Sequence, residues 1–549
     1  MNGQPATHPP DSARRSIKWR GTFVYWSVAL TLILAVSVLH FWKLGSAPKG
    51  FYTDEASIAY NAYCIAQTGA DEYGNKYPLY FRSVSYQDPV MSYSSVPLVE
   101  LFGLHEWVAR LPSALFYILA SVAFGLLVRE YCRNKWLSLF GGLLFALTPW
   151  GFAISRTVGP GQSPMLFGMA AGWLFSLRAV RKRSFHCAVA AGAAFALAMY
   201  AYNAGRLMSP LLLVCFAVAF NRMLRSRWKV TAVLLTVYIT ALLPMIVSVV
   251  RAPQVFADRF QQVSLFADHP SWTVALAEIT TRYMDYFSPR FLFFTGDHEL
   301  RHHTGSCGEL FWFTIPLILA GLYCVARFFR TQPYYRFLVL GLLAYPAAAV
   351  LTVDRMHSMR CVNGVIAWLL LAMVGAHWLW QQRRVGRKLL VVACAVGALE
   401  SLAYLADYFG PYQKLCRHAF MAGLTEGLKY SFQRINSNQT FYVDDSVGVP
   451  YGIYIHTDFK PLIYAHLLFY GKIDPRSYQR DGLSNSVVQP YLGRIQKPGL
   501  LLRANYTSRR SDLSPSAGMQ NHIPVPSGAK LLATFEEGTP LEYEVFEVR

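Results

Sequence analysis

Two adjacent carboxylates, Asp54 and Glu55, follow the first long apolar run of the chain, in the stretch FYTDEASIAYNAYCIAQTG from Phe51 to Gly69. Thr53 occupies an N-cap position, the acids fill the first turn, and Gly69 stands where a helix C-cap belongs. Ile58, Ala59, Ala62, Ile65 and Ala66 recur at helical spacing, which predicts an amphipathic helix lying on an apolar surface. A carboxylate at such a helix end, its pKa held down by the dipole, can serve as a base between lipid-borne substrates. The same pair could instead do no more than complement the positive end of the helix.

Other groups able to do chemistry are cations and histidines in short polar stretches: Arg156, Arg206, Arg301 and Arg360, with His302, His303 and His357 and the acid Asp297. Arginine forks hold phosphate well, so one set of residues could bind a phosphorylated lipid while a carboxylate activates an acceptor hydroxyl or amine. Arg156 and Arg360 could equally snorkel to lipid headgroups. His302 and His303 read as capping or surface residues rather than metal ligands, because adjacent histidines do not easily share one ligand face.

The elements that position these groups are apolar. Hydrophobic residues make up 54% of the chain and charged residues 15%, which places most of it in lipid. Runs of spanning length predict about eleven transmembrane helices, near 23–42, 109–128, 136–153, 164–178, 185–202, 208–221, 231–250, 309–326, 337–352, 361–380 and 389–405. The net charge of +20 does not call for nucleic acid. Arg14, Arg15, Lys18 and Arg20 precede the first span, and basic clusters around Arg133, Arg181, Arg227, Arg330 and Arg387 recur after every second span, the positive-inside pattern. The first span is too long and too aromatic for a signal peptide and reads as a retained anchor. With the N-terminus inside and the C-terminus outside, the acids, arginines and histidines gather on one outer face. The nine cysteines form no CxxC pair and indicate neither a zinc site nor a disulfide framework.

Residues 1–22 thus form a basic cytoplasmic N-terminus. Residues 23–405 form a membrane domain with two large outer loops, 43–108 and 251–308, and residues 406–549 form a small extracytoplasmic α/β domain. Helix-like stretches near 413–433 and strand candidates at 440–444 and 542–548 support the last assignment. Further amphipathic helices are expected at 88–104 and 271–287.

The runs DEASIAYNAYCIAQTGADEYGNKYPLYF, RLPSALFYILA, ALTPWGFAISR, GDHELRHHTGSCGELFWFTIPLILAGL and LTVDRMHSMR occur in order across residues 20–410. Together they resemble the bacterial branch of glycosyltransferase family 39, the protein O-mannosyltransferase and aminoarabinose-transferase superfamily with the GT-C fold. The resemblance implies a multi-pass enzyme of the bacterial cytoplasmic membrane that needs no cofactor and no DxD-bound metal. It implies inverting transfer of a sugar from a polyprenyl-phosphate donor to a protein, lipid or glycan. It also places the catalytic base at Asp54 with Glu55 beside it, and Arg301 and Arg360, then Arg156, become the cations for the leaving phosphate, with Asp297, His302 and His357 beside them. The chain departs from relatives at Gln87 and Asp88, where a lysine often precedes the proline, and after Arg156, where an acid often follows. A lipid-linked sugar transporter and a non-catalytic envelope assembly factor are the rival classes. A transporter is expected to show inverted repeats with charge at mid-bilayer, which this chain lacks.

Overall fold

The computed structural model describes residues 11–83, 86–254, 256, 264–265, 272–448, 463–483, 486–491, 493–506, 524–538 and 541–549. The chain begins with α1 (Asp11–Phe41), α2 (Thr53–Thr68), α3 (Pro89–Phe102) and α4 (Glu106–Cys132). It continues through α5 (Lys135–Leu147), α6 (Pro149–Ser155), α7 (Gln162–Lys182), α8 (Phe185–Ala201), α9 (Asn203–Ser226) and α10 (Trp228–Arg251). Within the second large loop lies α11 (Trp272–Asp285), and after it come α12 (Thr314–Phe328), α13 (Pro333–Ala344), α14 (Gly364–Gln381) and α15 (Arg383–Phe409). Each of the eleven expected spans overlaps one of these helices or, at 136–153, the pair α5 and α6. Among the described residues, six helices are long and apolar enough to cross a membrane, α1, α4, α9, α10, α14 and α15. The α5–α6 pair is a seventh candidate, bent by 60°. The bend has a local cause: Pro149 forces Thr148 into an extended conformation (ψ 131°) and ends α5 there. Together these helices make a multi-pass membrane protein.

The bundle core runs through α4, α7, α8, α12 and α14. Helices α12 and α14 approach so closely that a Cβ on Gly321 would lie 2.2 Å from the Leu371 carbonyl, and one on Gly375 1.9 Å from that of Leu317. Small residues permit backbone contact where lipid gives no hydrophobic drive to association. The expected amphipathic helices are present as α3 and α11. The basic N-terminal segment is helical from Asp11 onward, and residues 1–10 lie outside the described set.

Beyond α15 the chain folds as α16 (Ala422–Phe432), β1 (Thr440–Val443), α17 (Ile463–Gly471), β2 (Val488–Pro490), β3 (Gly499–Tyr506), β4 (Lys530–Gly538) and β5 (Leu541–Val548). The strands form one sheet in the order β2-β1-β3-β5-β4; β1 is parallel to β2 and β3, and β5 is antiparallel to β3 and β4. One face carries Phe441, Val443, Leu500, Leu502, Tyr543 and Val545, alternating with Tyr442 and Leu501, which are buried with Tyr491 and Val548 on the opposite face. That face shares a continuous core with α16, α17 and, from the first loop, Phe51, Ala56, Ile58, Ala59 and Tyr60. The helix of the acidic pair is therefore clasped from the C-terminal side.

Candidate active site

Helix α2 starts one residue earlier in its cap than expected: Tyr52 is the N-cap and Thr53 the first helical residue, with the Thr53 hydroxyl against the Met421 sulfur (3.4 Å). The cap is closed by Glu55, whose Oε2 accepts the Tyr52 N–H at 2.9 Å. Gly69 ends the helix at φ 68°, as expected.

The acidic pair splits into two unlike groups. Glu55 is 2% exposed. It accepts Arg110 Nε at 2.9 Å and Arg110 Nη2 at 3.0 Å, and its Oε1 also accepts the Val158 N–H at 2.8 Å. Arg110 spends its remaining donors on the carbonyls of Leu44, Pro48 and Gly50. Glu55 is thus a fully coordinated tie between α2, α4 and the two neighbouring loops. Asp54, one residue before it, is half-buried and lies within electrostatic range of Arg301 and Tyr52.

Arg301 sits over the Tyr52 ring, 4.3 Å from its centroid, and pairs with Glu299 at 3.1 Å. Burial works against its charge, but Tyr52, Glu299 and Asp54 prevail and raise its pKa. Arg156 is elsewhere. It is fully buried, and its Nη atoms donate to the carbonyls of Leu39 (2.9 Å), His40 (2.7 Å), Trp42 (2.6 Å) and Ala47 (3.1 Å). It caps the C-terminal end of α1, so its guanidinium neither snorkels to lipid nor presents its Nη fork to a phosphate.

The remaining expected residues converge. Asp297 Oδ2 accepts His302 Nδ1 at 2.9 Å and the Ser358 N–H at 2.7 Å, and its Oδ1 accepts the Glu299 N–H at 2.8 Å. Burial alone would raise its pKa, but His302 and His357 hold it down to about 2. The His302 and His357 rings lie 4.5 Å apart. Arg360 pairs with Asp354 at 2.7 Å, and its buried Nη1 has no partner among the described residues. His303 turns the other way: its Nδ1 accepts the Gly305 N–H and its Nε2–H donates to the Gly308 carbonyl. One group that sequence reading passed over is Glu309, fully buried, bonded to the Ser358 hydroxyl and to the Asp297 N–H at 3.0 Å. Burial pushes its carboxyl far up, and the neighbouring Asp297 pushes the same way. Arg110 is another. Both are lone charges at the start of expected spans, and a charge at a membrane boundary is costly enough to need a reason. At the first departure from relatives, Asp88 is ion-paired with Arg206, whose guanidinium also lies 4.4 Å from the Phe256 ring centroid.

Comparison with known proteins meets the resemblance from two sides. Residues 87–247 match the family described as dolichyl-phosphate-mannose-protein mannosyltransferase. The fold is that of ArnT from Cupriavidus metallidurans, matched in its apo state at a TM-score of 0.52 and 14% identity over 94% of this chain and 97% of that one. The structure of the same protein bound to undecaprenyl phosphate matches at 0.51 and 15% identity over the same shares. An oligosaccharyltransferase from Archaeoglobus fulgidus, tethered to an acceptor peptide, matches at 0.49 and 14% identity over 79% of this chain and 63% of that one. No curated protein matches the chain. The chain therefore has the GT-C fold.

Proposed function

We propose that this protein is a membrane glycosyltransferase that moves a sugar from a polyprenyl-phosphate donor onto a hydroxyl or amine of a protein, lipid or glycan, with inversion at the anomeric carbon. The observation that carries this reading is the division of labour at the start of α2. Glu55 is consumed by Arg110, whereas Asp54 stays half-exposed beside the cation Arg301. The match of residues 87–247 and the bound undecaprenyl phosphate of the ArnT structure support the donor class.

In the proposed step Asp54 takes the acceptor proton as the acceptor oxygen or nitrogen bonds to the anomeric carbon. The bond from that carbon to the phosphate oxygen breaks through an oxocarbenium-like state. The polyprenyl phosphate leaves with the bonding pair and needs no acid, only charge stabilisation, and Arg301 and Arg360 are the cations proposed to supply it. Purified protein given a radiolabelled polyprenyl-phosphate sugar and a mixed envelope extract should release label to an acceptor. No transfer by wild type, or equal transfer by wild type and Asp54→Asn, overturns the reading.

The proposed setting is the bacterial cytoplasmic membrane, N-terminus inside and the sheet domain outside. This rests on the basic clusters and on the single span α15 after the last of them. Lys530→Cys, in a background without Cys187, Cys307 and Cys394, should react with an impermeant thiol reagent in intact spheroplasts. Protection until lysis would invert the topology.

A further inference from the structure

The end of the bundle away from α2 carries a second concentration of charge. Helix α4 meets α2 at Arg110, and at 1.5 Å per residue it puts Arg133 roughly 35 Å further on, about the depth of a bilayer core. The segments 129–135, 178–183, 222–229 and 327–336 hold fourteen basic side chains and a single carboxylate, Glu130. Both Glu130 oxygens are taken, Oε1 by Arg178 Nε at 2.8 Å and Oε2 by Arg181 Nη1 at 2.8 Å. Three of the cations gather around one phenol: Arg133 from the end of α4, Arg181 from the end of α7 and Arg227 from the α9–α10 joint all act electrostatically on Tyr334 at the start of α13. We infer that Arg133, Arg181 and Arg227 form a binding site for a phosphate group, supplied by the headgroup of an anionic membrane lipid. This inference is independent of the proposed transfer reaction.

Arg227 supplies the independent sign. Its Nη1 is buried and has no hydrogen-bond partner among the described residues, a costly state for a charged donor unless a ligand completes it. The four segments offer it no further acid, because Glu130 is already doubly paired. A phosphodiester brings acceptor oxygens that match guanidinium forks in pairs, and basic pockets between transmembrane helices suit lipid headgroups. Position favours lipid over soluble phosphate. Trp136 and Trp228, three residues and one residue beyond Arg133 and Arg227, are both exposed, as aromatic rings at headgroup depth commonly are.

The surroundings are fixed before any lipid arrives. Trp173 Nε1–H donates to the Tyr131 hydroxyl at 3.2 Å, and that hydroxyl donates to the Tyr334 carbonyl at 3.1 Å. The rings of Tyr131 and Phe220 each lie 5.4 Å from that of Tyr334. Helix α9 departs from helical geometry at this same Phe220 (φ −109°, ψ 16°), one turn and a half before Arg227. Arg133 closes α4 at φ 53°, a left-handed position that ordinarily favours glycine, so the charge is kept there against a local backbone cost. A bound phosphate ties the ends of α4, α7 and α9 to the start of α13 and relieves the mutual repulsion of three guanidinium groups.

The test uses delipidated full-length protein, titrated with phosphatidylglycerol or phosphatidylcholine in detergent and read by native mass spectrometry and by melting temperature. One phosphatidylglycerol should be retained in preference to phosphatidylcholine, and it should raise the melting temperature. Arg227→Gln should weaken that retention by roughly 10–100-fold, the loss expected for hydrogen bonds between charged groups. Arg133→Gln serves if the Arg227 variant fails to fold. The double variant Arg222→Gln, Arg225→Gln removes more charge from exposed positions on the same helix end and should leave retention unchanged. Inorganic phosphate at the same concentration should not raise the melting temperature. Equal retention of the two lipids by wild type, undiminished retention in a folded Arg227 or Arg133 variant, a loss in the double variant as large as that at Arg227, or the same thermal rise with inorganic phosphate overturns the inference.

Discussion

Two groups of charged side chains, one tying α2 to its neighbours and one between the later outer loops, are satisfied to very different degrees. In one, the carboxylate of Glu55 and the guanidinium of Arg110 are closed off by each other and by backbone groups, and Arg156, although its Nε has no partner among the described residues, gives its Nη atoms to four carbonyls. In the other, His357 Nδ1, Arg360 Nη1 and Glu309 Oε2 are buried without a partner among the described residues. Glutamate and arginine occur in both. Complete coordination turns a charge into architecture, because a buried pair that has lost one member is strongly destabilised. Incomplete coordination keeps a cost in the folded state that a ligand can relieve.

The largest effect expected from this contrast is at Asp54. Asp54→Asn should keep a near-normal folded yield and lose roughly 10² to 10⁴ in turnover, the loss typical of a missing general base. Its counterpart Glu55→Gln should show its damage in yield and thermal stability instead. A well-folded Glu55→Gln protein without turnover, beside an active Asp54→Asn protein, would exchange the two roles.

Next in size is the pair itself. Arg110→Ala strands the buried Glu55 carboxylate and should cost about 3–5 kcal/mol, read as a lower melting temperature in detergent or as lost monodisperse yield. A melting curve like that of wild type would break the claim that this cluster is structural.

A smaller and more selective effect is expected at Arg301. Arg301→Ala should weaken donor binding by roughly the 1.5–3 kcal/mol of hydrogen bonds to a charged group, and Arg301→Lys by less, since the point charge survives while the fork is lost. Equal donor affinity in wild type and Arg301→Ala would remove Arg301 from the phosphate site and leave Arg360 to be measured.

The smallest effect on donor binding sharpens the comparison from its other side. Arg156→Lys should leave donor affinity unchanged while lowering the melting temperature, because one ammonium cannot serve four carbonyls held by a planar fork. Weaker donor binding without loss of stability would move Arg156 into the second group.

The sequence made the helices legible because periodicity and caps are local. The span at 136–153 reads as one run since composition cannot show the turn that Pro149 imposes. The acidic pair is visible by type, but its division is not: it depends on Arg110, 55 residues from Glu55. Arg156 reads as a phosphate cation because its true partners are carbonyls, which every residue carries and no pattern marks. The Asp297, His302 and His357 group straddles two loops, so adjacency to His303 is a misleading guide to its geometry. In the tail, β3 and β4 are not among the stretches that read as strands, because GLLLRANY and KLLATFEEG open with continuous apolar runs that have no two-residue period.

The clasp on α2 has a consequence for the order in which the molecule is completed. His466 Nε2 donates to the Phe51 carbonyl at 2.7 Å across 415 residues, and the Tyr60 hydroxyl donates to the Ile473 carbonyl at 3.0 Å across 413. Gly50, at φ +91°, backs onto the Phe420 carbonyl so closely that a Cβ would come within 2.3 Å of it. At about 5–20 residues per second of synthesis, the ribosome needs roughly 20–80 s after making Phe51 before the tail residues that seat it exist. The first helix of the outer loop is therefore among the last parts to settle. A chain truncated ahead of α17 retains its spans and both carboxylates yet lacks the final grip on them, so a nascent or clipped copy is born without a finished catalytic end.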